Sequence, residues 1–322
     1  MKLKDKIKVV LDEGRMLILG AQVLLGFQYR SVFETGFDKL PHSSQLLKLA
    51  ALCLMLLAIM LLMSPGAFHR IVAEGEDRED VHNFATSVMD VALLPFALGL
   101  GIDVYVATQK LAGTTYGIIG GLVALLFALF FWYGLEMLRK SAHRHREGRA
   151  MKDGKEKSED GGTKLKDKIE QVLTEARMVL PGAQALLGFQ FATMLVEGFE
   201  KLPVSSRYVH LISLFFIALS IIFLMTPAAY HRLVERGEAT QHFHRFASRM
   251  LLAAMIPLAL GIAGDLFVVM RKVTESMKLG VTGAVITLVI FYGFWFGYTF
   301  YRRSQQGAAL RKAGKRSSQF AS

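Results

Sequence analysis

The sequence predicts an all-α integral membrane protein, a helical bundle of eight transmembrane helices built as two parallel four-span repeats about a pseudo-twofold axis along the membrane normal. Three observations lead there: apolar residues gathered in membrane-length blocks, the same residues recurring at a fixed distance along the chain, and basic residues concentrated on one side. Hydrophobic residues make up 52% of the 322. They collect in blocks of roughly 20, the length a helix needs to cross about 30 Å of hydrocarbon. Blocks such as "LLKLAALCLMLLAIMLLMSPGAF" and "ISLFFIALSIIFLMTPAAY" have almost none of the polar positions that a water-soluble bundle would show at helical period.

The repeat is read from paired residues. Gln184 follows Gln22 by 162 residues, and the same spacing relates Glu13 to Glu175, Arg15 to Arg177, Gly26 to Gly188 and Gln28 to Gln190. It continues through Pro41/Pro203, Ser44/Ser206, Pro65/Pro227, His69/His231, Arg70/Arg232, His82/His244, Pro95/Pro257 and Asp103/Asp265. Beyond a loop near residue 115 the spacing becomes 163, pairing Gly117/Gly280 and Trp132/Trp295. One inserted loop residue accounts for the change. Repetition over this length marks a tandem duplication.

The expected spans lie near 16–37, 46–66, 84–108 and 117–138, then near 178–199, 208–228, 246–270 and 280–301. Ahead of the first span, Leu3, Ile7, Val10 and Leu11 recur at helical spacing opposite Lys4, Asp5 and Lys8. That pattern predicts an amphipathic helix lying on the membrane surface and running into the span. The chain therefore divides into a first repeat with its surface helix (1–140), a charged linker (141–162), a second repeat with its surface helix (163–303) and a basic tail (304–322). The linker carries no apolar stripe and reads as flexible and solvated.

Four spans per unit give both units the same orientation. With termini and linker inside, 29 of the 38 lysines and arginines fall on the inner side, a positive-inside pattern that makes these segments cytoplasmic. A single-unit ancestor working as a symmetric dimer would yield this internal pseudo-dimer on fusion. Further homo-oligomerisation stays open.

Several classes are set aside. The net charge of +11 matches membrane sidedness better than nucleic-acid binding. The single cysteine, Cys53, excludes an intrachain disulfide and any cysteine-clustered metal site. The linker's "HRH" lacks carboxylates and sits among basic residues, so no metal is expected there. No Walker loop, nucleophile elbow or HExxH occurs, and the protein is expected not to be an enzyme. The fourth spans lack the spaced arginines of a voltage sensor. The duplicated histidines sit at span ends, where they do not suit haem, and no cofactor is expected. The N-terminus shows no cleavable signal.

The polar residues inside the blocks need explaining, because a polar group in hydrocarbon costs free energy unless it faces protein or water. Gln22 shares a helix face with Arg15, Gly26 and Tyr29, and Gln184 shares one with Arg177, Gly188 and Phe191; Gln28 and Gln190 point elsewhere. The amides either bond across a close helix contact set by the glycines or line a hydrophilic path. Asp103 and Asp265 sit a few residues from the outer end of each third span, after "LPFALGLGID" and "IPLALGIAGD". Each is a candidate ion site or an interfacial carboxylate paired with Lys110 or Lys272. Pro95 and Pro257 remove a helix hydrogen bond in mid-span and should kink it. His69 and Arg70, with His231 and Arg232, close the second spans at the cytoplasmic boundary, where they act either as anchors or as a proton-accepting inner gate.

The combination of "GAQ…LLGFQ", a proline and "HR" closing the second span, and a third span ending in aspartate resembles a bacterial family of small four-span membrane proteins classed as a domain of unknown function. Some of its members are labelled sodium:proton antiporter. The resemblance covers both units, and most relatives have only one, so the fusion is a departure. It implies a multi-pass protein of the bacterial cytoplasmic membrane. The expected function is conduction or exchange of protons or small monovalent cations near the inter-repeat interface, through Asp103, Asp265 and the four glutamines. The competing expectation is a non-transporting scaffold or sensor whose basic linker and tail bind anionic lipid or a partner.

Overall fold

A computed structural model describes residues 3–134, 164–233 and 240–308. The linker at 141–162, the tail beyond residue 308 and the side chain of Arg232 lie outside the described residues. Every regular element among the described residues is helical: α1 (Leu3–Ser31), α2 (Thr35–Asp38), α3 (His42–Ile71), α4 (Glu79–Ala112), α5 (Thr114–Leu129), α6 (Leu165–Thr193), α7 (Glu197–Glu200), α8 (Val204–Leu233), α9 (Gln241–Thr274) and α10 (Met277–Tyr292). Helices α5 and α10 run on into π-helical turns at Phe130–Gly134 and Gly293–Tyr298.

Among the described residues six helices are long and apolar enough to cross a membrane: α3, α4, α5 with its π turn, α8, α9, and α10 extended to Ala308. The chain is thus a multi-pass helical membrane protein. Helices α1 and α6, 29 residues each, fall outside this set because their first halves are charged and their second halves carry glutamines.

The structure differs from the sequence reading at these two helices. Surface piece and first span form one unbroken helix in each half, which stops at Ser31 or Thr193; a single helical turn, α2 or α7, follows. The stripe expected to lie on the bilayer is turned into the protein. Ile7, Val10 and Leu11 are buried in one cluster with Ile169 and Val172, so apolar contact with protein replaces contact with lipid. Helices α3 and α8 likewise continue through Pro65 and Pro227. Pro95 and Pro257 stand inside unbroken 34-residue helices and are buried. In hydrocarbon no water rewards an opened helix, and packing holds the turn despite the missing bond.

Helices α1 and α6 pack along each other at the centre of the bundle and run parallel. A Cβ at Gly14 would meet Met178 at 3.2 Å, one at Gly26 would overlap the Phe189 ring, and one at Gly198 would overlap the Phe33 carbonyl, so contacts advance together along both segments. Lipid tails are as apolar as side chains, and such close backbone approach supplies the association by van der Waals contact.

The connection from α4 to α5 is Gly113 alone, at φ 92°, a left-handed conformation that glycine adopts without penalty. The matching turn between α9 and α10 uses two residues, Glu275 at φ 53° and Ser276, whose hydroxyl caps the Leu279 N–H at 3.3 Å. That extra residue is where the repeat spacing changes from 162 to 163.

One end of the bundle, called proximal here, holds the starts of α1 and α6. It is tied by polar contacts: Gln171 donates to Asp77 at 2.6 Å, Lys168 pairs with Glu76, and Arg303 pairs with Glu74. The opposite, distal end holds the finishes of α1 and α6.

The two fourth helices are placed differently. The π turn after α10 reaches α3, where Trp295 is fully buried and donates Nε1–H to the Met60 carbonyl at 2.8 Å. Trp132, its sequence mate, packs edge-on against Phe96 of α4 at 5.5 Å between ring centroids.

Candidate functional site

At the distal end α4 and α9 each present an aspartate to α1 or α6 and to α3 or α8. Gln28 donates Nε2–H to Asp103 at 2.6 Å, and Lys48 donates to its other oxygen at 2.6 Å. Gln190 donates to Asp265 at 2.7 Å, and His210 Nδ1 faces the other oxygen at 3.6 Å. Lys48 and His210 stand 162 residues apart, so the place beside the aspartate holds a lysine in one half and a histidine in the other.

This corrects the expected pairing of the aspartates with Lys110 and Lys272. Those lysines reach backbone instead: Lys110 donates to the Gly36 carbonyl at 3.5 Å, and Lys272 donates to the Val32 carbonyl at 2.6 Å with Asp38 at 3.2 Å. Helix geometry places Lys110 seven residues from Asp103 on one face, but the partner helix lies closer than the next two turns.

The second-half site is the more enclosed. His210 is fully buried and its Nε2–H donates to the Gln190 carbonyl at 3.1 Å. A carbonyl only accepts, so in the neutral ring Nδ1 is the acceptor. Tyr29 of α1 supplies the donor, giving its hydroxyl hydrogen to Nδ1 of His210 on α8 at 2.6 Å. One oxygen of Asp265 is buried without a hydrogen-bond partner among the described residues. A cleft of about 10 Å³ beside Gly26, Tyr29 and Asp265 is roughly the smallest space that takes one water.

Midway along α1, Gln22 is fully buried with neither amide atom hydrogen-bonded among the described residues. It lies against Gly182 of α6, where a Cβ would overlap its amide. Gln184 is exposed instead. The face of α1 that holds Gln22, Gly26 and Tyr29 is covered by α6, whereas the matching face of α6 points away from α1, so these two glutamines do not form a symmetric pair.

At the proximal end a third polar group closes the line. Glu175, seven residues before Gly182 and so about 10 Å along the helix, accepts from His69 Nδ1 at 2.6 Å and from Arg70 at 2.5 and 2.8 Å. Arg70 also donates to His244 at 3.2 Å. Burial acts to raise the Glu175 pKa, but the charges and hydrogen bonds of Arg70 and His69 overcome it and hold it down at about 2, so this carboxylate stays ionised through the physiological range. His231 does not share the setting of His69. It is half-buried and rests on Phe243 at 4.5 Å.

The structure thus joins Gln28 to Asp103, Gln190 to Asp265, and His69 to Arg70. It adds Lys48, His210, Tyr29 and Glu175, none of which the sequence reading assigned to the ion path. The signal for three of them was present: Lys48 and His210 share a repeat position, and Glu175 recurs as Glu13.

Helical membrane architecture and buried ionisable clusters define the class, a multi-pass membrane protein with polar groups on its central helix contact. A family model, "Family of unknown function (DUF6328)", matches residues 2–136 and again 158–299. The chain belongs to that family, whose description carries no transport label. No curated protein and no solved structure matches the chain.

Proposed function

We propose that the protein is an eight-span, two-repeat membrane protein that moves protons across the cytoplasmic membrane, with Asp265, His210 and Tyr29 as the exchanging groups. The observation that carries this reading is Asp265: a buried carboxylate with one oxygen that makes no hydrogen bond among the described residues, faced by a histidine that is itself bonded to a tyrosine. Ionisable groups within a membrane are functional candidates by default, and histidine exchanges protons near neutral pH. A sodium or potassium ion is less well served, since the site offers no cage of several oxygens.

The path would run from this distal cluster past Gln22 to the proximal cluster of Glu175, His69, Arg70 and His244. Asp103, held by Lys48 and Gln28, would be its structural counterpart. The eight-span reading adds α1 and α6 to the six apolar helices. It is supported by their parallel course and by matched lengths of corresponding helices, 30 residues for α3 and α8 and 34 for α4 and α9. Positive-inside bias supports cytoplasmic termini and linker.

The test is proton flux into liposomes containing the purified chain, driven by a potassium diffusion potential. Flux above empty liposomes that falls with Asp265→Asn and persists with Asp103→Asn supports the reading, and no flux for any imposed gradient sinks it. A second reading rests on the saturation of Glu175 by Arg70 and His69, which seals the proximal end. Under it the protein is a scaffold whose linker binds anionic lipid or a partner, and removing residues 141–162 abolishes function while Asp265→Asn does not.

A further inference from the structure

The two halves differ most in what covers the contact between the first and second long helices. In the first half, Met60, Leu62, Met63 and Ala67 of α3 are buried, with Trp295 seated on the Met60 carbonyl. Of the corresponding positions of the second half, Leu224 stays buried but Ile222 is 59% and Met225 50% exposed, and Trp132 lies elsewhere against Phe96. What remains between α6 and α8 is an open groove of about 1020 Å³. Its walls are apolar, with Leu180, Leu224 and Met225 among them, and it carries two basic side chains, Arg177 and His231. Arg177 is exposed and has no carboxylate partner among the described residues. Both residues lie toward the proximal end, His231 two positions before the end of α8.

An apolar trough ending in an arginine and a histidine within a membrane protein has the chemistry of an anionic phospholipid, with an acyl chain below and a phosphate above. The guanidinium and imidazole supply charge-assisted donors for phosphate oxygens. We infer that the α6–α8 groove is a binding site for one anionic glycerophospholipid, its phosphate held by Arg177 and His231 and an acyl chain lying along Leu180 and Met225. The lipid takes the position that Trp295 occupies in the other half. This assignment does not depend on proton movement.

The experiment is native mass spectrometry of the full chain released from nanodiscs of phosphatidylcholine containing graded phosphatidylglycerol, with thermal stability measured in parallel. The expected result is one phosphatidylglycerol retained in preference to phosphatidylcholine, with retention falling about tenfold in Arg177→Gln, the worth of one charge-assisted hydrogen bond. Ala229→Trp, which fills the exposed wall of the groove, should abolish retention while leaving the melting temperature in pure phosphatidylcholine unchanged. Equal retention of the two lipids overturns the assignment, as does full retention in both variants. Displacement by inorganic phosphate shows a phosphate site instead of a lipid site. A Met225→Cys variant on a Cys53→Ser background that cross-links into dimers shows a second copy at the groove, and this too overturns it.

Discussion

Tyr29 donates its hydroxyl hydrogen to Nδ1 of His210 at 2.6 Å, across 181 residues of sequence and from α1 to α8. The sequence mate of Tyr29 is Phe191, which is 54% exposed, so this bond exists in one half alone. It ties the orientation of the His210 ring on α8 to the placement of α1. Tyr29→Phe should destabilise the protein by about 1–3 kcal/mol, because it leaves a fully buried ring nitrogen without its donor. Phe191→Tyr should be close to neutral. Denaturant unfolding in mild detergent compares the two.

The two aspartates should respond differently to the same substitution. Asp103→Asn strands Lys48, whose side chain is only 15% exposed, and should cost about 3 kcal/mol. Combining it with Lys48→Met should restore much of that. Asp265→Asn leaves a histidine that keeps its tyrosine and carbonyl partners, so stability should change by less while proton flux is lost. A larger unfolding penalty for Asp265→Asn than for Asp103→Asn would contradict this division.

Glu175→Gln removes the charge that Arg70 and His69 share. Both partners are nearly or fully buried, and leaving an unpaired guanidinium there should cost about 3–5 kcal/mol. With a folded-state pKa near 2, below the ordinary carboxylate value, its contribution is complete above about pH 4.5 and is lost as pH falls through 2. Wild type should therefore lose stability across that acid window more steeply than Glu175→Gln, measured by unfolding at stepped pH.

Glycine positions discriminate between packed and open faces. A Cβ at Gly182 would overlap the Gln22 amide, and Gly182→Ala should cost about 1–3 kcal/mol through overpacking. Gly188, the sequence mate of the buried Gly26, has nothing within contact range, and Gly188→Ala should stay within about 0.5 kcal/mol. Equal effects at the two sites would mean that the face of α6 carrying Gly188 is covered.

The all-helical, multi-pass character was legible because membrane helices write their length in apolar blocks. Asp103, Asp265, Gln28 and Gln190 all stood out as polar residues in apolar blocks, yet their union into two hydrogen-bonded pairs did not. Periodicity fixes which residues share a face of one helix and is silent about which helix lies opposite, and that is why Lys110 and Lys272 looked like partners. The inequality of the halves was hidden for a related reason. Trp132 and Trp295 are the same residue at the same repeat position, and only tertiary packing sends one to α4 and the other to α3. Glu175 escaped notice because its partners lie 105 and 106 residues away, in the other half.

The bond from Trp295 to Met60 spans 235 residues, and this gives biosynthesis a long wait. Translation delivers α3 to the bilayer well before the helix that covers it, so the Met60 surface stays open to lipid, or to other nascent chains, until nearly the whole polypeptide has been inserted. A ribosome stalled between the halves would leave a product whose later complement never arrives. The first half should consequently be short-lived when expressed alone and rescued when the second half is supplied as a separate chain.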